Sequence, residues 1–100
     1  MKVEITQNEN HVAVTLGGRL DTVTSSEFEK NIGPYFSMQG IELTLDCTDM
    51  EYISSAGLRV VLMAHKSITG KGGRFIIRNL SDGVRSVFDM TGFSRILTIG

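Results

Sequence analysis

Ile41, Leu43, Leu45 and Cys47 alternate with Glu42, Thr44 and Asp46, and a stretch of helical periodicity follows closely, with Leu58, Val61, Leu62 and His65 at i, i+3, i+4 and i+7. Period two gives a strand one buried face, and the second spacing gives a helix one buried stripe. A strand that feeds a helix, followed by another strand at Arg74-Phe75-Ile76-Ile77-Arg78, has one economical solution: a right-handed crossover onto a parallel neighbour. Met50 to Ile53 reads as the link between strand and helix, and Gly70, within Thr69-Gly70-Lys71-Gly72-Gly73, as the helix stop.

The flanking segments extend this pattern. Val3 and Ile5, then Val12, Val14 and Leu16, sit at period two around Gln7-Asn8-Glu9-Asn10, the mark of a hairpin, and Gly17-Gly18 signals a break or bulge. Thr24 with Glu27 three residues later has the spacing of a capping box and predicts a helix start there, with Phe28 and Ile32 inward and Gly33-Pro34 as the stop. Ser81 caps a third helix carrying Val84, Val87 and Phe88 up to Gly92, and Ile96 to Ile99 reads as a last strand. The order β-β-α-β-α-β-α-β predicts an α/β fold, a small open, mostly parallel mixed sheet with an antiparallel edge strand, in a single domain over residues 1–100. In such sheets function gathers where strand carboxyl ends meet helix N-termini, here Asp46 to Leu58 facing Leu20–Ser25.

Composition narrows the function. Ten basic against eleven acidic side chains leave a net charge of −1, without the positive field that nucleic-acid binding needs. Cys47 has no disulfide partner, and with only His11 and His65 as further soft ligands a structural zinc site is not expected. No leader-like or membrane-spanning apolar run is present, so the expected location is the cytoplasm, away from membranes. Charge is unevenly distributed: residues 1–58 hold nine acids and three bases, for −6, whereas residues 59–100 hold seven bases and two acids, for +5. The expectation for so small a domain is that the halves neutralise each other in space, the other reading being a polar binding face.

Ser54 and Ser55 stand at the mouth of the second helix. A serine there is a preferred cap, and the same position suits a phosphate, so placement alone leaves both roles open. Tyr52-Ile53-Ser54-Ser55-Ala56-Gly57 lacks the glycine of a nucleophile elbow, and His65 lies too far along the helix to serve as base. Thr69 to Gly73 closes a helix, whereas a phosphate-cradling loop opens one. Asp46 and Asp49 read as a solvated strand end, and Met50, Met63 and Met90 as core filler.

The run from Leu45 through Asp46, Tyr52, Ile53, Ser54, Ser55, Ala56 and Gly57 to Leu58 resembles the central motif of STAS-domain anti-sigma factor antagonists. That motif is a strand, a tyrosine or phenylalanine, an aspartate-serine pair, a small residue, then Gly-Leu opening a helix. Gly18-Arg19-Leu20-Asp21 is similar to the family's Gly-x-Leu-Asp loop, and Val87-Phe88-Asp89-Met90-Thr91-Gly92-Phe93 to its Leu-Phe-x-Met-Ser-Gly-Leu segment, in the family's order and spacing. The resemblance implies a STAS-like fold and a binding protein with neither catalysis nor cofactor. Its unphosphorylated form would bind an anti-sigma factor or serine kinase and so release a sigma factor. Phosphorylation would end the binding, and a serine phosphatase would restore it.

The family's phosphoserine falls on Ser55, and its preceding aspartate is Ser54 here. The resemblance further implies partner contact through Asp21, Thr22, Ser54, Ser55, Ala56, Gly57 and Arg59. Gly57 is expected to allow close approach of the helix to its surroundings or a partner, with a larger residue abolishing binding but leaving the fold largely intact. Two other functions remain open: an accessory STAS subunit of a lipid-transporting ABC system, and, less favoured, a small nucleotide-binding protein.

Overall fold

A computed structural model describes all of residues 1–100. Strand β1 (Lys2–Asn8) and strand β2 (His11–Leu20) form an antiparallel hairpin in which Val3 faces Leu16 and Ile5 faces Val14. Helix α1 (Thr22–Ile32) leaves β2 directly and ends at the expected Gly33-Pro34 stop, the chain continuing as a 3-10 turn over Gly33–Ser37. Strand β3 (Glu42–Asp46), strand β4 (Met50–Ile53), helix α2 (Ser55–Gly70), strand β5 (Arg74–Arg78), helix α3 (Asp82–Met90) and strand β6 (Thr98–Ile99) complete the chain. The sheet runs β1-β2-β3-β5-β6, every pair but the first being parallel, as alternating strands and helices require.

The strand period decides which face is covered. Val12, Val14 and Leu16 of β2, Leu43 and Leu45 of β3, and Phe75 and Ile77 of β5 point to one side. There they join Phe28 and Ile32 of α1, Val60, Val61, Ala64 and Ile68 of α2, and Val84 and Phe88 of α3 in one core. The alternate positions, including Thr15, Glu42, Thr44, Arg74 and Arg78, form a largely polar face around the buried Ile76, with His11 and Arg74 lying 3.2 and 3.7 Å from the Glu42 carboxylate.

Of three expectations, two are corrected and the bulge at Gly17-Gly18 is met. Met50–Ile53 is a strand: β4 pairs in parallel with Gly18–Leu20 after β2 has left β3. Its burial runs inward, outward, outward, inward, so it carries no alternation for a sequence reading to detect. The Gly17-Gly18 pair is where β2 changes partners; Gly18 has φ +87° and donates its N–H to the Asp49 carbonyl at 2.9 Å, so the strand bulges without breaking. Finally, the buried face of α2 is centred on Gly57, Val60, Val61, Ala64 and Ile68, with Leu62 and His65 at its half-buried margin. Two of its members, glycine and alanine, contribute through close approach and little through hydrophobicity.

The charge halves meet across β3 and β5, where Glu42 stands beside Arg74 and Asp46 beside Arg78. The acid-rich first half supplies β1 and β2 at one side of the sheet and the base-rich second half supplies β5 and β6 at the other. Of the three ion pairs only Arg74 with Glu42 joins the two halves.

Gly57 sets how closely α2 approaches the sheet. A Cβ there would lie 2.8 Å from Leu20 Cδ2 and 2.9 Å from Ile53 Cγ1, and both neighbours are buried with nowhere to retreat. Gly57→Ala should therefore cost about 1–3 kcal/mol through overpacking. In urea denaturation its midpoint should fall, and a midpoint equal to wild type would show that Leu20 and Ile53 can yield.

Candidate functional site

Leu20 ends β2, and its carbonyl holds the mouth of α2. It accepts the Ser54 N–H at 2.9 Å and the Ser54 hydroxyl, also at 2.9 Å. The same hydroxyl oxygen accepts the Gly57 N–H at 3.2 Å, which makes Ser54 the N-cap of α2. A serine can donate and accept at once, whereas an ionised aspartate only accepts. Ser54 therefore does two things where the family's aspartate would do one: it caps the helix and ties it to the end of β2.

Asp21, next after Leu20, caps α1. Its carboxylate accepts the N–H groups of Val23 and Thr24 at 3.0 and 2.9 Å, while the Thr24 hydroxyl accepts the Asp21 N–H at 2.9 Å. The capping box is thus Asp21 with Thr24, three residues earlier than the expected pair of Thr24 and Glu27. Aspartate caps as well as threonine does, and a hydroxyl at the third helical position can close the box in place of a carboxylate. Hydrogen bonds from the Thr24 backbone and then its side chain, the Val23 N–H and the charge of Arg19 hold the Asp21 carboxyl below its ordinary range.

The two helix mouths thus open from adjacent residues, and the expected site residues divide by what their side chains do. Ser54 is half-buried and committed to the frame. Gly57 is buried, and a side chain there would meet Leu20 and Ile53, which corrects the idea that a large residue at this position spares the fold. Ser55, the first residue of α2, is exposed, and its hydroxyl makes no hydrogen bond within the protein. Thr22 and Arg59 are exposed and Ala56 is half-buried.

Sequence reasoning passes over three neighbours. Val23 is 80% exposed at the start of α1, and Tyr52 is 41% exposed on β4. The Arg19 guanidinium lies 4.3 Å from the centre of the Tyr52 ring, a cation–π contact. The aromatic residue of the central motif is legible as such, but its pairing with Arg19 follows from the parallel register of β2 and β4, which one sequence does not reveal.

Other chemistry-bearing groups are engaged elsewhere. The Asp46 carboxylate accepts from the Thr48 hydroxyl at 2.6 Å, the Asn79 side-chain amide at 3.0 Å and the Thr48 N–H at 3.0 Å, which lowers its pKa and joins the ends of β3 and β5. Burial, reinforced by the neighbouring Asp46 charge, pushes the Cys47 thiol up to about 12, so it is protonated at neutral pH. No three His, Cys, Asp or Glu side chains are grouped to hold a metal ion, and no helix is long and apolar enough to cross a membrane. A shallow depression of about 420 Å³, lined by Lys2, Glu4, Gly17 and Asp49 among others, lies beside the hairpin and does not include Ser55.

Known proteins of this shape agree with the sequence resemblance. The profile of the STAS domain matches residues 2–100. The anti-sigma-B factor antagonist of Bacillus subtilis is 30% identical over 99 residues, which span 99% of this chain and 90% of that protein. Among solved structures, the anti-sigma factor antagonist SpoIIAA in its unphosphorylated form superposes with a TM-score of 0.83 at 20% identity, covering 99% of this chain and 88% of that one. The phosphorylated form of the Bacillus cell fate determinant SpoIIAA gives 0.77 at 19% identity, covering 99% and 91%.

The two serines should separate in stability measurements. Ser54→Ala removes a cap and a tie to Leu20 and should cost about 1–2 kcal/mol, whereas Ser55→Ala should stay within about 0.5 kcal/mol of wild type. Equal losses in urea denaturation would contradict the division of labour. Acid should expose the Asp21 cap. Because its carboxyl is lowered in the folded state, its contribution is fully present above its unfolded pKa near 3.8 and is lost as pH falls through the lower folded value. The stability difference between wild type and Asp21→Asn should accordingly shrink below pH 3.8, and a difference that is flat through that range would contradict the assignment.

Proposed function

Since the chain belongs to the STAS domain family, we propose that it is an anti-sigma factor antagonist whose binding is switched by phosphorylation of Ser55. The observation that carries this reading is the contrast between adjacent serines: the Ser54 hydroxyl is consumed by Leu20 and Gly57, whereas the Ser55 hydroxyl is exposed and free. A kinase needs an accessible hydroxyl, and a switch needs one whose loss leaves the fold standing. Relatives support the reading: the Bacillus subtilis protein is named an anti-sigma-B factor antagonist, and SpoIIAA has been solved with and without phosphate.

The unphosphorylated protein binds an anti-sigma factor, itself a serine kinase, through the surface around Thr22, Val23, Tyr52, Ser55, Ala56 and Arg59. Val23 and Tyr52 supply apolar area, and arginine beside an exposed aromatic ring is the composition of interface hot spots. Phosphorylation places about −1.5 to −2 charges and three acceptor oxygens in the middle of that surface. Burying such a group unpaired against a partner costs several kcal/mol, and each ~1.4 kcal/mol is tenfold in affinity, so binding ends without refolding. A cytoplasmic serine phosphatase resets the switch.

The test is capture from the source cell, with wild type, Ser55→Ala and Ser55→Asp as parallel baits. Ser55→Ala should retain the anti-sigma partner and accept no phosphate. Ser55→Asp should bind it at least tenfold more weakly while remaining folded, because a carboxylate at a helix N-terminus is favourable. Phosphate mapped to Ser54 with Ser55 untouched would overturn the acceptor assignment, and an ATPase of a lipid transporter as the captured partner would overturn the function.

A further inference from the structure

Arg59 follows Ser55 by one helical turn on the same face of α2. Residues four apart on a helix have Cβ atoms about 5–6 Å apart. Side chains on a helix tilt toward its N-terminus, and long ones lean back over the preceding turn, so the Arg59 guanidinium covers the ground beside the Ser55 hydroxyl. Arg59 is exposed, belongs to none of the three ion pairs, and finds no acidic residue in the first turn of α2 to pair with. Its charge is uncommitted in the unmodified protein.

We propose that Arg59 is an internal clamp for phosphate on Ser55, a positioning residue that folds back onto the modification within the same chain. The inference rests on Ser55 being the acceptor and adds a second component to the switch: phosphorylation introduces a dianion and also withdraws an arginine from the docking surface. The order of the pair is the favourable one, with the anion N-terminal and the cation four residues later. Guanidinium offers a planar fork that matches two phosphate oxygens, which an ammonium cannot do. Arg19, the other base at this end, is occupied: it lies over Tyr52 and its charge acts on Asp21. Since Asp21 adds negative charge beside the mouth of α2, a phosphate there has one uncommitted cation within reach.

The experiment uses the full chain with phosphoserine installed at position 55, and follows its phosphorus resonance by NMR as pH is varied. In the wild-type background the second phosphate pKa should lie below the value near 6 of an unpaired phosphoserine, because a paired guanidinium favours the dianion. Arg59→Gln should raise that pKa by about half a unit, and Arg59→Lys should recover part of the difference. Without phosphate, Arg59→Gln should unfold at the wild-type urea midpoint, which separates the clamp from a structural role. An identical second pKa in the wild-type and Arg59→Gln phosphoproteins would overturn the proposal. Because the phosphate is installed chemically, this titration judges the clamp alone, and phosphosite mapping in cells judges the acceptor.

Discussion

The Leu20 carbonyl is the point on which this end of the molecule depends. It accepts two hydrogen bonds from Ser54, and the residue after it caps α1, so the last residue of one strand fixes where two helices begin. Gly57 completes the joint from the other side by allowing α2 to settle onto the Leu20 side chain. Without a side chain at 57 the helix comes close enough for Ser54 to reach the carbonyl. With Ser54 held there, Ser55 is turned outward. An exposed, unbonded hydroxyl beside a locked one is therefore a consequence of the packing and not an isolated surface feature.

The same arrangement suits the proposed switch at Ser55, which on this reading needs little motion. Asp21, Ser54 and Gly57 belong to the frame; Thr22, Val23, Tyr52, Ser55 and Arg59 belong to the surface. A modification on the surface set changes charge and contacts, whereas a substitution in the frame set changes folding. Asp21 gives this end an acidic residue beside the mouth of α2. Under the proposed function, phosphate on Ser55 would arrive beside that carboxylate and alter the local field strongly.

Much of this is legible in the amino-acid sequence. Alternation at Ile41–Cys47 and the helical stripe after it dictate the crossover, and topology alone points to Asp46 to Leu58 facing Leu20–Ser25 as the candidate site. What escapes the sequence does so for identifiable reasons. β4 lacks alternation because Tyr52 is turned out beneath Arg19. The α1 cap reads as Thr24 because a hydroxyl with a glutamate after it is the commoner box. The packing constraint at Gly57 escapes because a glycine's near neighbours are invisible in one dimension. Charge intermixing is the expectation for a domain of this size, and strand order, which one sequence does not disclose, sets Glu42 beside Arg74 and Asp46 beside Arg78.

The central claim is that the frame around Leu20 stays put while the surface changes sign. The most direct measurement is a comparison of backbone amide NMR spectra and hydrogen-exchange rates for the chain with serine and with phosphoserine at position 55. The account predicts shift changes confined to residues 19–24 and 52–60, with the amides of Ser54 and Gly57 equally protected in both forms. Changes extending through β5, α3 and β6, or loss of protection at Ser54 and Gly57, would show that phosphate acts by loosening the fold, and would contradict it.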